Sequence, residues 1–183
     1  MPDTTITEPL LNGLSPQRSR EVQQRIREDG DGDVARPLYS AAVEWTSGYH
    51  TVSHLAGGRT IEGDEPAAYG GQARGASPQD LLLTAVGNCI AATCIGGLSA
   101  QSVVVRSLKI HVSGRVNFKA AYGVAPGAPG FEGVDVKIEI DTDQPPARID
   151  ALLEKLLPTA PIPDTILRPV PLSVSVSHGG AGA

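Results

Sequence analysis

Residues 77–98 read SPQDLLLTAVGNCIAATCIGGL, and this stretch decides the fold. Ser77 is a favourable N-cap, Pro78 suits the first helical position, and Asp80 places negative charge in the first turn. The segment that follows is apolar on every side, which is typical of a helix that is either buried or spans a bilayer. Asn88, two threonines, a Gly-Gly pair and the lack of flanking cationic or aromatic anchors favour the buried alternative. The sequence therefore predicts a long central core helix.

The two cysteines of the chain, Cys89 and Cys94, both lie on this helix. Five residues of helix place their Cα atoms about 8–9 Å apart and turn them about 140° from each other. A disulfide needs Cα atoms within roughly 7 Å, so the pair cannot form one while the helix is intact. A reducing cytoplasm is the expected compartment. A buried cysteine is commonly an inert small hydrophobe, but a thiolate stabilised by a cation or by hydrogen bonds is a nucleophile.

Composition narrows the class of protein. The chain has 183 residues, of which 40% are hydrophobic and 19% charged, so we expect one globular domain rather than disorder. Its net charge of -5 argues against a nucleic-acid partner, since there is no basic cluster to neutralise phosphates. The sequence does not begin with a positively charged segment followed by an apolar stretch. We therefore expect no signal peptide and no membrane association.

The remaining segments predict an α+β fold. Residues 1–35 comprise a loose polar tail, 1–14, and a surface helix, and residues 36–183 form the main domain. The pattern of the main domain is β-β-β-α-β-β-α-β, which wraps antiparallel sheets around the buried central helix. The predicted helices are Gln17 to Glu28, the central one, and one after Pro145-Pro146; the predicted strands are Leu38 to Trp45, Tyr49 to Leu55, Arg59 to Glu62, Val103 to Asn117, Phe131 to Asp141 and Pro171 to Ser177.

We expect no metal and no cofactor. His50 and His54 are four residues apart on a predicted strand, which separates them by about 13 Å, too far to share a metal ion. The acidic, glycine-rich run 28–33 lacks the later acidic position of a calcium loop, and its more economical interpretation is a helix end with solvated charge.

The run from Asp64 to Cys89, DEP-x3-GG-x5-SP-x-DLLL-x5-C, resembles the signature of the OsmC/Ohr family, the osmotically induced and organic hydroperoxide resistance proteins. The resemblance extends over roughly residues 36–177. It implies an OsmC-like fold and an intertwined homodimer with two active sites at the subunit interface. It also implies that Cys89 is a peroxidatic nucleophile, which attacks the terminal oxygen of an organic hydroperoxide and becomes a sulfenic acid.

The sequence departs from this family pattern at two positions. Gln79 stands where the family's peroxidases carry a glutamate that holds an arginine. Ala160, in the segment Ala160-Pro161-Ile162-Pro163-Asp164-Thr165, stands where they carry a resolving cysteine. Without that cysteine, a peroxidase cycle needs an external thiol as reductant. Arg59 is the candidate cation for the departing alkoxide and Glu65 its candidate partner, so the candidate catalytic set is Cys89, Arg59, Glu65 and Gln79.

The leading functional hypothesis is therefore a thiol-dependent, peroxiredoxin-like peroxidase that reduces organic hydroperoxides through Cys89 as a cytoplasmic homodimer. Two alternatives remain open at this point. One is a Cys-dependent hydrolase or transferase that acts on an apolar carbonyl or thioester substrate. The other is a non-catalytic dimer that binds a small apolar ligand and uses Cys89 only as part of the pocket wall.

Overall fold

The computed structural model describes residues 9–179, which contain two antiparallel sheets and a set of helices around one core. A three-stranded sheet has the order β1-β2-β3, and a two-stranded sheet pairs β4 with β5. In chain order the elements are α1 (Pro16–Asp29), β1 (Ala41–Ser47), β2 (His50–Leu55), β3 (Thr60–Gly63), α2 (Pro78–Ala100), β4 (Val105–Val116), α3 (Phe118–Ala121), β5 (Phe131–Thr142), α4 (Pro146–Leu156) and α5 (Pro161–Leu167). The α+β arrangement predicted from the sequence is confirmed.

The central helix begins where the sequence signals place it. The Ser77 hydroxyl oxygen accepts a hydrogen bond from the Asp80 backbone N–H at 3.1 Å, and the Asp80 carboxylate accepts one from the Ser77 backbone N–H at 3.0 Å. This reciprocal capping box satisfies two of the N–H groups that every helix start leaves without an intrahelical partner. It fixes the first turn of α2, and hence the rotation of every side chain that follows.

One side of α2 forms the centre of the core. Its fully buried residues recur every four positions, at Val86, Ile90, Cys94 and Leu98, and so form one stripe along the helix. The stripe packs against the inward-facing side chains of the β4–β5 sheet and against α4. The inward set from the two strands is Val105, Leu108, Ile110, Val112, Ile138 and Ile140.

The opposite side of α2 is open in the single chain. By length and mean hydropathy of 1.8 alone the helix could cross a bilayer, but the structure instead uses its apolar stripe in the core. Leu82, Ala92 and Gly96 lie on the open side and are exposed. An apolar helix that covers only one of its sides with its own chain leaves a surface that another molecule can cover.

The sheet of β1, β2 and β3 has one apolar and one polar face. Residues paired across neighbouring strands point to the same face, and the pairing places Val43, Trp45 and Ile61 together on one of them. Val43 is 63% exposed and Trp45 72% exposed, so this apolar face contacts little of its own chain. Glu44 and His54 lie on the other face, where the His54 Nε2 is 3.6 Å from a Glu44 carboxylate oxygen across the strands.

The segment before α1 is fastened to the body rather than loose. The Asn12 side-chain amide donates hydrogen bonds to the Ser99 hydroxyl and to the Val103 carbonyl, both at 2.9 Å, and accepts one from the Val105 backbone N–H. The expectation of a loose tail over 1–14 is therefore wrong for residues 11–14, because an asparagine amide satisfies the turn between α2 and β4. Residues 1–8 lie outside the described part of the chain. The predicted surface helix is confirmed as α1, which buries no residue.

Two further predictions need correction. The predicted strand Pro171 to Ser177 does not form; residues 169–177 have no regular structure and are exposed. Leu172, Val174 and Val176 do alternate with serines, but a strand requires a neighbouring backbone, and the single chain supplies none here. The connection between β4 and β5, for which the sequence predicts no helix, contains the short helix α3, whose Ala120 N–H donates to the Asn117 side chain at 3.2 Å.

The close contact between α2 and α4 gives a test of this packing. A Cβ atom added at Gly97 would overlap the Leu156 side chain, whereas one added at the adjacent Gly96 would meet nothing within 4 Å. We expect Gly97→Ala to lower the free energy of unfolding in urea by about 1–3 kcal/mol, the usual cost of overpacking. Gly96→Ala, the matched control, should be neutral or stabilising by up to about 1 kcal/mol because alanine favours helix. Equal effects of the two substitutions would contradict the packing described.

Candidate active site at the junction of α2 and α5

Cys89 lies in the middle of α2, at the edge between the buried stripe and the open side. Its side chain is half-buried. The Cys89 sulfur accepts a hydrogen bond from the backbone N–H of Ile162 in the first turn of α5, with 3.4 Å between nitrogen and sulfur. Its neighbours on α2 at helical spacing carry no charge; they are Ala85, Val86, Ala92 and Thr93. The sulfur is thus partly accessible in apolar surroundings and has one donor directed at it.

In the segment Ala160–Asp164, the N–H of Ile162 is the one that remains available to the sulfur, because the other residues have no N–H or use it elsewhere. Pro161 and Pro163 have no N–H. The Ala160 N–H donates to the Leu157 carbonyl at 3.1 Å, and the Asp164 N–H donates to the Ala160 carbonyl at 3.1 Å. The Ile162 N–H is therefore the one backbone donor of residues 160–164 that is not bonded to a carbonyl, and it is bonded to the Cys89 sulfur.

Cys94 is less accessible than Cys89. It is fully buried in the apolar stripe of α2, and this burial raises the pKa of its thiol. Both cysteines are free, as their predicted separation along and around the helix requires. Cys94 is a core residue, and Cys89 is the thiol that reagents can reach.

Ala160 is fully buried and lies two residues before the donor to Cys89. The structure therefore brings the Ala160–Thr165 segment, which the family resemblance matches to the segment of the resolving cysteine, next to the Cys89 sulfur.

Gln79 and Asp80 lie at the start of α2, three helical turns before Cys89. The helix rise places Gln79 about 15 Å from Cys89 along the axis, so the two side chains do not meet directly. Gln79 is half-buried. The Asp80 carboxylate is engaged in the capping box with Ser77, at 2.6 Å from the Ser77 hydroxyl, and so is committed to holding the helix start.

Arg59 and Glu65 lie on the sheet and loop that precede α2. Arg59 is exposed, and its Nε donates to the Ala56 carbonyl at 3.2 Å, within its own turn. Glu65 is half-buried, and its backbone carbonyl accepts a hydrogen bond from Ala73 at 3.2 Å. Among the interactions within residues 9–179, neither side chain has a hydrogen bond or ion pair to Cys89, and the single chain does not bring the two together.

Asp64 organises the loop between β3 and α2. The sequence did not indicate this role of Asp64. Its carboxylate is buried and accepts hydrogen bonds from the backbone N–H groups of Glu65 at 2.8 Å and of Gln72 and Arg74 at 3.1 Å each. Burial on its own raises the pKa of Asp64. The N–H donors of Arg74, Gln72 and Glu65, together with the nearby His50, outweigh burial and hold the pKa below its usual value.

The same loop requires glycine at one close approach. A Cβ atom at Gly71 would overlap the backbone of Glu65, so a larger residue would displace the loop that Asp64 gathers. The sequence does contain a signal for the role of Asp64: an aspartate that directly precedes a glycine-rich loop. Such an aspartate can accept hydrogen bonds from several N–H groups of the loop at once.

A groove of about 450 Å³ separates α2 from β4, and residues such as Thr84, Asn88 and Val112 line it. Within the described residues, no group of three or more His, Cys, Asp or Glu side chains is placed to hold a metal ion. In the single chain the candidate site is a half-buried thiol at the edge of the open side of α2, with α5 beside it.

The sequence model of the OsmC-like protein family matches residues 70–175. No curated protein sequence matches the chain. Solved structures share its fold at low sequence identity. An OsmC-like protein from Mycoplasma pneumoniae has a TM-score of 0.61 and 18% identity, over 71% of this chain and 87% of that one.

Two further structures have the same TM-score of 0.55. One is an organic hydroperoxide resistance protein OsmC from Legionella pneumophila, at 17% identity over 70% of this chain and 90% of that one. The other is an OsmC-like protein of unknown function from Vibrio cholerae, at 11% identity over 70% and 92%. These likenesses show the fold.

The Asp64 cluster predicts a specific pH dependence. Because its folded-state pKa is lowered, Asp64 stabilises the fold fully above its unfolded-state pKa of about 3.9, and this contribution is lost as pH falls through the lower folded value. We expect Asp64→Asn to reduce the free energy of unfolding at pH 7, and the gap to the native chain to close as pH falls below about 4.

The measurement is urea unfolding of both chains from pH 7 downward. Asp33→Asn is the control, since Asp33 is exposed in the turn after α1. An Asp64→Asn gap that stays constant down to the acid limit would show that the carboxylate charge does not hold the loop.

Proposed function

The chain belongs to the OsmC-like protein family, and we propose that within it this protein is a thiol-dependent peroxidase that reduces organic hydroperoxides through Cys89. One arrangement carries the proposal: Cys89 is half-buried, its neighbours at helical spacing on α2 are uncharged, and its sulfur accepts the Ile162 N–H at 3.4 Å. The setting suits an alkyl substrate, and the donor can stabilise negative charge on sulfur. The fold likeness to an organic hydroperoxide resistance protein supports the same reaction class.

The first step oxidises the sulfur. The Cys89 thiolate attacks the terminal oxygen of the hydroperoxide ROOH, the O–O bond breaks, and the alkoxide RO⁻ takes a proton and leaves as the alcohol ROH. Cys89 becomes a sulfenic acid. We propose that the alkyl group lies on the open apolar side of α2, where Leu82, Ala92 and Gly96 are exposed.

The second step returns the sulfur to the thiol. Ala160 offers no thiol, and Cys94 is buried on another side of the same helix, so the reductant is an external thiol R′SH. It condenses with the sulfenic acid to a mixed disulfide and water, and a second R′SH releases Cys89 as the thiol with R′SSR′ as product. A reducing cytoplasm supplies such thiols, which is consistent with the free cysteines of the chain.

We propose that the active unit is a homodimer, with a second copy of the chain covering the surfaces that one copy leaves open. Three apolar surfaces support this: the face with Val43 and Trp45, the open side of α2, and the alternating Leu172, Val174 and Val176. A second copy could also pair its backbone with residues 171–177 and so complete the strand that the sequence pattern predicts.

The candidate cation is proposed to act across this interface. Arg59 is exposed just before β3, and among residues 9–179 its Nε donates to the Ala56 carbonyl within its own turn; its two terminal amino groups are proposed to reach a leaving alkoxide on the other copy. Glu65 and Gln79 are proposed to position that guanidinium by ion pairing and hydrogen bonding. Arg59→Ala should lower the oxidation rate at least about tenfold, equal to ~1.4 kcal/mol of transition-state stabilisation, while Arg148→Ala, on α4, should not. Stopped-flow oxidation of both variants measures this, and equal rates would remove Arg59 from the mechanism.

Chemical trapping tests the reaction itself. One equivalent of tert-butyl or cumene hydroperoxide, added with a sulfenic-acid trap, should give a stoichiometric adduct at Cys89 that peptide mass spectrometry locates. Cys94→Ser should form the adduct normally, and Cys89→Ser should form none and lose peroxidase activity with an added thiol. An adduct at Cys94, or undiminished activity of Cys89→Ser, would contradict the proposal. A carbon-centred adduct with esters or thioesters would instead favour the hydrolase alternative.

The dimer has a native reporter, because Trp45 is the single tryptophan of the chain. We expect light scattering to give about twice the 19.0 kDa of one chain, and the Trp45 emission to shift to the red on dilution as the face is uncovered. Val43→Glu, on the same face, should give monomers. Ala42→Glu, on the opposite face of β1, is the matched control and should leave the dimer intact. A native mass of 19.0 kDa with solvent-exposed Trp45 at all concentrations would contradict the dimer.

A further inference from the structure

We propose that the backbone nitrogen of Ile162 serves in place of a resolving thiol: it condenses with the sulfenic acid of Cys89 to form a sulfenamide that covalently joins α2 to α5. This inference rests on the proposed function, because the sulfenic acid must form first. It assigns a redox role to the backbone amide of Ile162, which lies in the same segment as Ala160, a residue without a thiol.

The nitrogen is already at the sulfur. The distance from the Ile162 nitrogen to the Cys89 sulfur is 3.4 Å, a van der Waals approach between two atoms 73 residues apart in the chain. Because the flanking Pro161 and Pro163 have no N–H, and the amides of Ala160 and Asp164 are bonded to carbonyls, Ile162 carries the one amide of the segment whose proton is directed at sulfur. No carbonyl hydrogen bond has to be broken for this nitrogen to react.

Competing partners for the sulfenic acid within the chain are poorly placed. Cys94 is fully buried in the core and cannot approach Cys89 without unwinding α2. Cys89 and Cys94 are the two cysteines of the whole sequence, so no other thiol exists in the same chain. An amide nitrogen is an established acceptor for a sulfenic sulfur when no thiol is within reach.

The step balances without any further reagent. The Ile162 nitrogen forms an S–N bond to the Cys89 sulfur, the S–O bond of the sulfenic acid breaks, and the amide proton leaves with the hydroxyl as water. The sulfur stays at the same oxidation level. An external thiol R′SH then attacks the sulfur, the S–N bond breaks, and the nitrogen takes back a proton, which leaves the same mixed disulfide as the proposed catalytic cycle.

The bond would protect the enzyme when reductant is scarce. A free sulfenic acid is oxidised further by excess hydroperoxide to a sulfinic acid, which thiols do not reduce. In the sulfenamide the sulfur has no S–OH group, so Cys89 is stored in a form that thiols recover.

The test uses the full-length Cys94→Ala chain, in which Cys89 is the only cysteine and an intramolecular disulfide is impossible. After one equivalent of cumene hydroperoxide without thiol, we expect denaturing mass spectrometry to show single chains that are not covalently joined to each other. Each of these chains should be two hydrogen atoms lighter than the reduced chain. Trypsin should release peptides 75–106 and 156–183 joined to each other, with the bond located at Cys89 and Ile162. Added dithiothreitol should separate the two peptides and restore the thiol.

Ile162→Pro in the Cys94→Ala background removes the amide proton and should abolish the lighter product, with sulfenic and sulfinic acids in its place. If that variant does not fold, the peptide map of Cys94→Ala alone decides the question. A sulfenic-acid adduct at Cys89 without any product lighter by two hydrogen atoms would overturn the sulfenamide and leave the peroxidase standing. Absence of both products would overturn the peroxidase as well.

Discussion

The packing of α2 on the β4–β5 sheet is the constraint on which the rest of the structure depends. The capping box of Ser77 and Asp80 sets the start of the helix, and the stripe from Val86 to Leu98 sets its rotation. With those two features fixed, Cys89 must lie beside the stripe rather than within it. The sulfur is therefore held at the boundary between the core and the open side of α2, where α5 provides its hydrogen-bond donor.

The segment 160–164 determines which groups lie beside Cys89. Ala160 is fully buried, and because Pro161 and Pro163 have no N–H, the Ile162 amide is the donor that the segment directs at the sulfur. In the proposed function the chain relies on external thiols for turnover, and in the further inference its own backbone holds the oxidised sulfur until a thiol arrives. Both follow from the same contact between α2 and α5.

Sequence reasoning recovered what local and periodic signals encode. Spacing alone predicted the capped start of α2 and the alternating strands β4 and β5. It also predicted that the two cysteines cannot form a disulfide with each other. Three features did not follow from spacing. Asp64 was missed because its role depends on a loop folding back over eight to ten residues to reach one carboxylate. The N–H of Ile162 was missed because a donor 73 residues away has no signature at Cys89. The segment 171–177 has the correct alternation, but within residues 9–179 no backbone pairs with it, so pattern and structure differ.

The central claim is that Cys89 is a thiol whose surroundings favour organic hydroperoxides, and its oxidation rate tests that claim most directly. Stopped-flow measurement on the Cys94→Ala chain compares cumene hydroperoxide with hydrogen peroxide. Because an alkyl group contacts the apolar side of α2 and a hydrogen atom does not, the account predicts that the organic substrate reacts at least about tenfold faster, a difference of ~1.4 kcal/mol. Equal rates for the two peroxides, both matching a free cysteine in solution, would contradict it.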